Sequence, residues 1–239
     1  MNRRWLVTGA LLAFLAAQIA VSEQGKAIAP SYIALPEPPT AVSAAVESLG
    51  DPEFLFRANV LRVQHAGNLD GRLIPFKDLD YGKLGVWFAT LDRLDPAADV
   101  VPTMAAYLFS GTQRPEDTRY LVDYLEQHGL RDPAKKWRWL AQAVYIARYK
   151  LKDLDRARGI AKFLAEAPHP EIMSWARSLH IFILLDLGEK EAARAILEQM
   201  LTDPQLAESE RRWTEYYLER HLSDAGQAGE QNAPAAAGR

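Results

Sequence analysis

Two successive segments decide the fold: residues 132–167 read DPAKKWRWLAQAVYIARYKLKDLDRARGIAKFLAEA, and residues 168–203 read PHPEIMSWARSLHIFILLDLGEKEAARAILEQMLTD. An offset of 36 residues pairs Trp139 with Trp175, Ala143 with Leu179, Leu151 with Leu187, Ala157 with Ala193, Leu164 with Met200 and Pro168 with Pro204. Internal similarity at a period of about 20–50 residues is the signature of a repeat architecture. The two segments therefore predict a repeated structural unit.

Asp-Pro and His-Pro dipeptides recur at similar intervals along the chain. They are Asp51-Pro52, Asp95-Pro96, Asp132-Pro133, His169-Pro170 and Asp203-Pro204. An aspartate caps free backbone N–H groups and proline suits the first helical position, so each pair predicts the start of a helix. Further breaks at residues 67–75, 111–115, 152–153 and 187–188 each precede a second helical stretch. Each repeat is therefore predicted to be a helical hairpin.

Apolar side chains recur at helical spacing between these breaks. One stripe comprises Leu84, Trp87, Phe88, Leu91 and Leu94, and another comprises Ile172, Trp175, Leu179, Phe182 and Ile183. No stretch alternates convincingly with period two, which would indicate a strand. The sequence predicts an all-α domain at residues 50–223, with about four antiparallel hairpins and a closing helix at residues 206–222.

This pattern resembles the tetratricopeptide-repeat-like helical solenoids. The resemblance lies in an aromatic residue early in the first helix (Trp139, Trp175) and a small residue early in the second (Ala157, Ala193). A proline follows shortly afterwards, at Pro168 and Pro204. The resemblance implies a curved scaffold that binds peptides or other proteins.

The first 22 residues have the pattern of an export segment. Arg3 and Arg4 precede a largely apolar run at residues 5–21, which predicts a membrane anchor or a signal peptide cleaved near Ser22. The positive-inside tendency would keep the arginines in the cytoplasm and deliver the rest across the membrane. Residues 23–49 are proline-rich and predict a spacer, and residues 224–239 predict a disordered tail.

The composition excludes several kinds of chemistry. The chain has no cysteine, so thiol catalysis and thiolate metal sites are excluded. Its formal charge of −3 is unlike that of dedicated nucleic-acid binders. Nucleotide-binding and hydrolase glycine motifs are absent from the sequence, and its five histidines have no metal-ligand spacing. We therefore predict no catalytic residue, no metal, no cofactor and no nucleic-acid partner.

The clustered aspartates suggest capping rather than catalysis. Asp78, Asp80, Asp92, Asp95 and Asp99 lack the ligand spacing of a calcium loop. Asp80 and Asp95 are predicted to cap helices.

The most distinctive surface lies on the helix predicted to begin at residue 134. Its exposed arc is predicted to bind a partner and comprises Arg138, Gln142, Tyr145, Arg148, Tyr149 and Lys152. Residues 131–162 contain ten basic and three acidic side chains. Cations interleaved with aromatic rings suit an acidic peptide, although a solvated helix face gives the same pattern.

These features favour a non-enzymatic adaptor or scaffold that binds a protein or peptide partner in an envelope complex. The predicted location is the bacterial inner membrane, as a single-pass protein with its body in the periplasm, or the periplasm itself after cleavage. Two alternatives remain open at this point: an exported peptide-binding chaperone, and a helical accessory of glycan processing.

Overall fold

The computed structural model describes residues 3–26, 35–69, 72–204 and 206–222. The chain divides into two compact units, Met1–Ala34 and Leu35–Arg239. The prediction of an all-α protein is confirmed. In the described residues, the only strands are the paired two-residue segments β1 (Asn68–Leu69) and β2 (Arg72–Leu73).

The first unit contains one helix, α1 (Arg3–Lys26), which includes the apolar run at residues 5–21 where an anchor was predicted. Among the residues that the structure describes, no helix is long and apolar enough to span a membrane.

The second unit is a succession of short helices. They are α2 (Ala41–Glu47), α3 (Pro52–Gln64), α4 (Tyr81–Leu94), α5 (Val100–Thr103), α6 (Thr118–Leu130), α7 (Pro133–Ile146), α8 (Leu154–Glu166), α9 (Ser174–Arg177), α10 (Leu179–Asp186), α11 (Lys190–Leu201) and α12 (Glu208–His221). Single 3-10 turns lie at Phe76–Asp78 and Pro115–Asp117. Both α5 and α7 continue into π-helical turns, at Met104–Leu108 and Ala147–Leu151 respectively, and a 3-10 turn at Phe109–Gly111 follows the first of these.

Side-chain caps explain several helix starts. Asp51 accepts a hydrogen bond from the Phe54 amide, with Pro52 at the first helical position, as predicted. Asp80 also caps its helix as predicted, by accepting from the Lys83 amide. Each cap satisfies a backbone N–H that has no partner within the helix.

Three other predicted starts are wrong. Asp95 is instead the residue that ends α4, and α5 begins only at residue 100. The Asp95 carboxylate accepts from the Ala97 amide, but residues 96–99 form a turn instead of a helix. His169-Pro170 and Asp203-Pro204 also lie in turns, and the helices after them begin at residues 174 and 208.

Small side chains allow the helices to approach closely. A Cβ atom added to Gly129 on α6 would lie 2.5 Å from Cγ of Leu140 on α7, which is far inside van der Waals contact. Ala157 on α8 and Ala193 on α11 are both fully buried. The small residues that the sequence placed in the second helices therefore do lie in the core.

Part of the predicted spacer, residues 23–49, packs against the helices of the second unit. The backbone carbonyl of Pro36 accepts a hydrogen bond of 2.8 Å from Nε1 of Trp87 on α4. Leu35 is buried, and Glu37 forms an ion pair of 2.6 Å with Lys83. Residues 27–34 and the predicted tail at 224–239 lie outside the described residues.

Candidate functional site

Helices α7, α10 and α12 carry the residues of the predicted binding surface and their neighbours. Near its start, α7 places Trp137 against Trp175 of α9, with ring centroids 5.4 Å apart. Beyond its end, Arg148 pairs with Asp186 at the end of α10. These two contacts join corresponding ends, so α7 and the α9–α10 segment run in the same direction. Phe182 of α10 in turn contacts both Trp213 and Tyr217 of α12. We call α7, the α9–α10 segment and α12, which lie side by side in this order, the row.

The tryptophans that meet are not the pair that the 36-residue offset matched. Trp139 is only partly buried and donates to Oδ1 of Asp99, 3.2 Å away. Its predicted counterpart, Trp175, is 51% exposed and meets Trp137. Trp137, Trp175 and Trp213 are spaced 38 residues apart, whereas the helices that carry them begin at residues 133, 174 and 208.

Two π-helical turns lie next to each other at one end of this row. Lys150, in the turn that follows α7, donates a hydrogen bond of 2.5 Å to the backbone carbonyl of Ser110, just beyond the turn that follows α5. A π-helical turn changes the direction of the side chains after it and occurs often at functional sites. Here the two turns carry Tyr107 and Tyr149, both with exposed rings.

We define the aromatic face as Tyr107, Tyr145 and Tyr149. Tyr107 is 62% exposed, Tyr145 51% and Tyr149 46%. The rings of Tyr145 and Tyr149 pack together with centroids 4.9 Å apart, and Tyr107 and Tyr145 line one shallow cavity with Gln142 and Lys150. Adjacent exposed tyrosines are typical of protein interfaces, where they are enriched.

Arg148 fixes one edge of the aromatic face. Its Nε lies 2.5 Å from Oδ2 of Asp186 and its second guanidinium nitrogen 2.8 Å from Oδ1, which is a bidentate pair. Burial disfavours the charged guanidinium, but the hydrogen bond and charge of Asp186 outweigh it and raise the pKa of Arg148. The guanidinium also lies 4.7 Å from the ring centroid of Tyr149. Arg148 is therefore committed to an intramolecular contact.

Six of the ten basic side chains at residues 131–162 form ion pairs with carboxylates, and four of these six pair with carboxylates outside this segment and its helices. The ion pairs are Arg131–Asp92, Lys135–Asp132, Arg148–Asp186, Arg156–Asp123, Arg156–Glu126, Arg158–Glu189 and Lys162–Glu166. Lys136, Arg138, Lys150 and Lys152 have no carboxylate partner among the described residues. The surface is therefore aromatic with a few free cations, rather than strongly basic.

The six predicted binding residues fall into three neighbouring places along α7 and its π turn. Arg138 lies near the start of α7, in a cavity that Asp132 and Lys136 also line. Gln142 and Tyr145 lie in the middle. Arg148, Tyr149 and Lys152 line a third cavity, together with Leu154 and Asp186.

Lys152 lines the same cavity as Tyr149 and has no carboxylate partner among the described residues. It is exposed and has a left-handed backbone with φ of 61°. This backbone conformation is uncommon for residues other than glycine and asparagine. Here it ends the π turn and lets α8 reverse direction.

An apolar cavity of about 220 Å³ opens beside this surface, between α9–α10, α11 and α12. We call it the anchor cavity, and it is lined by Ser174, Trp175, Ser178, Phe182, Met200, Ser209, Glu210 and Trp213. The apolar pattern of the sequence predicted Trp175 and Phe182 to lie in a core stripe and gave no sign of a cavity there.

A buried polar cluster joins α4 to α6. The carboxylate of Asp92 is fully buried and lies 2.8 Å from Nδ1 of His128 and 2.6 Å from the Arg131 guanidinium. It also accepts a hydrogen bond from Tyr124, whose pKa is raised by burial and by the charge of Asp92. Asp92, Tyr124 and His128 are all buried, so a substrate has no access to them.

The sequence pattern did not reveal this cluster, because Asp92 was grouped with neighbouring aspartates that were interpreted as capping residues. A signal was present in α6. His128 continues the apolar stripe of Leu121 and Leu125, and a titratable residue on a core stripe requires a buried partner.

Neither the arrangement of metal-ligating side chains nor the comparison with known proteins points to an enzyme class. In the part of the chain that the structure describes, no group of His, Cys, Asp or Glu is arranged to hold a metal ion. No protein-family model matches the chain, and no curated protein or solved structure matches it either.

Proposed function

We propose that this protein is a non-enzymatic adaptor that binds another protein through the aromatic face. The observation that carries the proposal is the exposure of Tyr107, Tyr145 and Tyr149 side by side. Tyrosine rings add large rigid contact area to an interface at low cost in side-chain entropy. A partner that covered this face would bury all three rings.

We place this face on a tetratricopeptide-repeat-like solenoid. The proposal is supported by the 38-residue spacing of Trp137, Trp175 and Trp213 and by the parallel course of α7 and the α9–α10 segment. In such an array, the first helices of successive hairpins form one continuous surface. The aromatic face would occupy the middle of that surface, where a partner gains the most contact.

The proposed setting is the bacterial envelope, with the second unit in the periplasm. Arg3 and Arg4 before the apolar run at residues 5–21 support export, either with α1 retained at the inner membrane or with cleavage near Ser22. Alkaline phosphatase fused after Arg239 should be active, because this enzyme folds only outside the cytoplasm. An inactive fusion that is stably produced would remove the envelope from the proposal.

The binding proposal is tested by capturing partners with the full chain. Tyr145→Ala combined with Tyr149→Ala should abolish specific capture and leave the thermal melting temperature nearly unchanged, because the rings are exposed. Tyr216→Ala is the matched control, since Tyr216 is 53% exposed on α12 but does not belong to the aromatic face. Capture that survives the double substitution would show that the partner binds elsewhere.

The same experiment separates the adaptor from the two alternatives. One partner at constant stoichiometry supports an adaptor, and many unfolded clients would indicate a chaperone. Enrichment of enzymes that act on glycans would favour the accessory role.

A further inference from the structure

The anchor cavity adjoins the proposed binding surface through α10. Phe182 lines the cavity, and Asp186, one helical turn later on the same helix, pairs with Arg148 at the edge of the aromatic face. Residues four apart on a helix lie on the same side, about 6 Å apart along the axis. Tyr217 of α12 contacts Phe182 and lies near enough to Arg148 to help raise its pKa, so the same ring borders both places.

The volume of the cavity limits what it can hold. Small-molecule and cofactor sites usually measure about 300–1,000 Å³, which is more than the 220 Å³ found here. An apolar cavity of about 150 Å³ takes a benzene ring. The anchor cavity therefore has room for one large apolar side chain, which would lie against Trp175, Phe182 and Trp213.

The two ends of the surface differ in charge, because an unpaired lysine lies at the end away from the anchor cavity. The cation at the far end is Lys152, which lacks a carboxylate partner among the described residues, because Asp186 already pairs with Arg148. Ser178 lines the anchor cavity, and Asp186 lines the same cavity as Lys152. Ser178 and Asp186 are eight residues apart on the α9–α10 segment. Eight helical residues rise about 12 Å, which an extended peptide crosses in three or four residues.

We infer that the surface recognises a protein segment with one bulky apolar side chain and, three or four residues away, an acidic one. The apolar side chain fills the anchor cavity, and the carboxylate lies at Lys152. This inference rests on the proposed function and specifies the chemistry of its partner.

The test uses two synthetic peptides, Ac-Phe-Ser-Ser-Glu-Glu-NH2 and the reversed Ac-Glu-Glu-Ser-Ser-Phe-NH2, titrated into the full chain with 15N-labelled tryptophan. The chain has six tryptophans, so each indole N–H signal can be assigned by single Trp→Phe variants. The Trp175 and Trp213 signals should move in a saturable manner with at least one of the two peptides. Replacing Phe by Ala should abolish the shifts, and replacing both Glu by Lys should weaken binding about threefold or more at low salt.

A cavity-filling variant provides the second arm. Ser209→Trp should occupy the cavity and abolish the peptide-induced shift of Trp213, whereas Glu215→Trp, an exposed change on the same helix, should not. The inference is overturned if neither peptide moves both indole signals at 10 mM, if lysine peptides bind equally well, or if the filled variant responds normally.

Failure here is distinguishable from failure of the proposed function. If partner capture is lost in Tyr145→Ala with Tyr149→Ala but survives Ser209→Trp, the aromatic face binds the partner and the anchor cavity does not. If capture survives in both variants, both proposals are wrong.

Discussion

Asp92→Asn should destabilise the second unit more than any other single carboxylate change in the chain. Asp92 is fully buried and accepts from Tyr124, His128 and Arg131, so it ties α4 to α6. Breaking a buried ion pair by removing one partner costs about 3–5 kcal/mol. Asparagine keeps the size and one acceptor oxygen, so we expect the lower end, about 3 kcal/mol.

A loss of about 3 kcal/mol corresponds to a fall of about 6–12 °C in melting temperature for a domain of this size. Circular dichroism during heating measures the melting temperature, and urea titration measures the free energy of unfolding. Asp95→Asn is the matched control, because Asp95 is only partly buried and accepts a single backbone N–H in a turn. It should change stability by less than about 1 kcal/mol.

A melting temperature for Asp92→Asn within 2 °C of the unmodified protein would show that this carboxylate does not tie α4 to α6. A double-mutant cycle with His128→Asn adds a check on the contact itself. Because the two side chains touch, the double variant should lose less stability than the two single losses combined, by about 1 kcal/mol or more.

Three further changes test the packing and the buried tyrosines. Ala193→Leu should cost about 1–3 kcal/mol by overpacking, while Ala192→Leu, an exposed change beside it, should not; equal melting temperatures would contradict the buried position of the first. Gly129→Ala should destabilise because its Cβ would clash with the next helix, whereas Gly159→Ala, which meets nothing within 4 Å, should stabilise by up to about 1 kcal/mol in urea titrations. Burial raises the pKa of Tyr81 to about 12 from about 10 in the unfolded chain, so the stabilisation from its neutral form is complete below pH 10 and is lost between pH 10 and 12. Urea midpoints over this range should therefore fall less steeply in Tyr81→Phe, and an identical slope would contradict the assignment.

The helices themselves were predictable from local chemistry. Asp51 and Asp80 cap the helices that they were expected to cap, because capping depends on residues only three positions away. The same reasoning was wrong at Asp95, whose carboxylate satisfies a turn amide instead. Whether an Asp-Pro pair opens a helix at once depends on the length of the turn that the neighbouring helices require, which the pair itself does not encode.

The repeat period was harder to read. The offset of 36 residues matches Ala157 with Ala193, and both are buried, so it describes the second helices. On the helices that precede them, Trp137, Trp175 and Trp213 are instead spaced 38 residues apart. A single offset cannot describe both sets, because the turns between the helices differ in length.

Four of the six residues predicted to form an exposed arc are exposed, whereas Gln142 and Arg148 are half-buried, and the net positive charge of the surface was overestimated. Counting charges along residues 131–162 takes no account of carboxylates on other helices, such as Asp186 opposite Arg148 and Glu126 opposite Arg156. Tyr107 was missed because it lies on α5's π turn and reaches the face only through the packing of that turn against α7. Contacts between different helices are the information that sequence spacing lacks.

Site-specific photo-crosslinking in cells that produce the full chain tests directly whether the aromatic face binds a partner. A benzophenone amino acid is placed at position 145, at position 149 or, as the control, at position 216. We expect one identical partner to be crosslinked from positions 145 and 149 but not from 216, and the same protein to be lost from pull-downs with Tyr145→Ala combined with Tyr149→Ala. No adduct at 145 and 149, or the same adducts at all three positions, would contradict a binding role for the aromatic face.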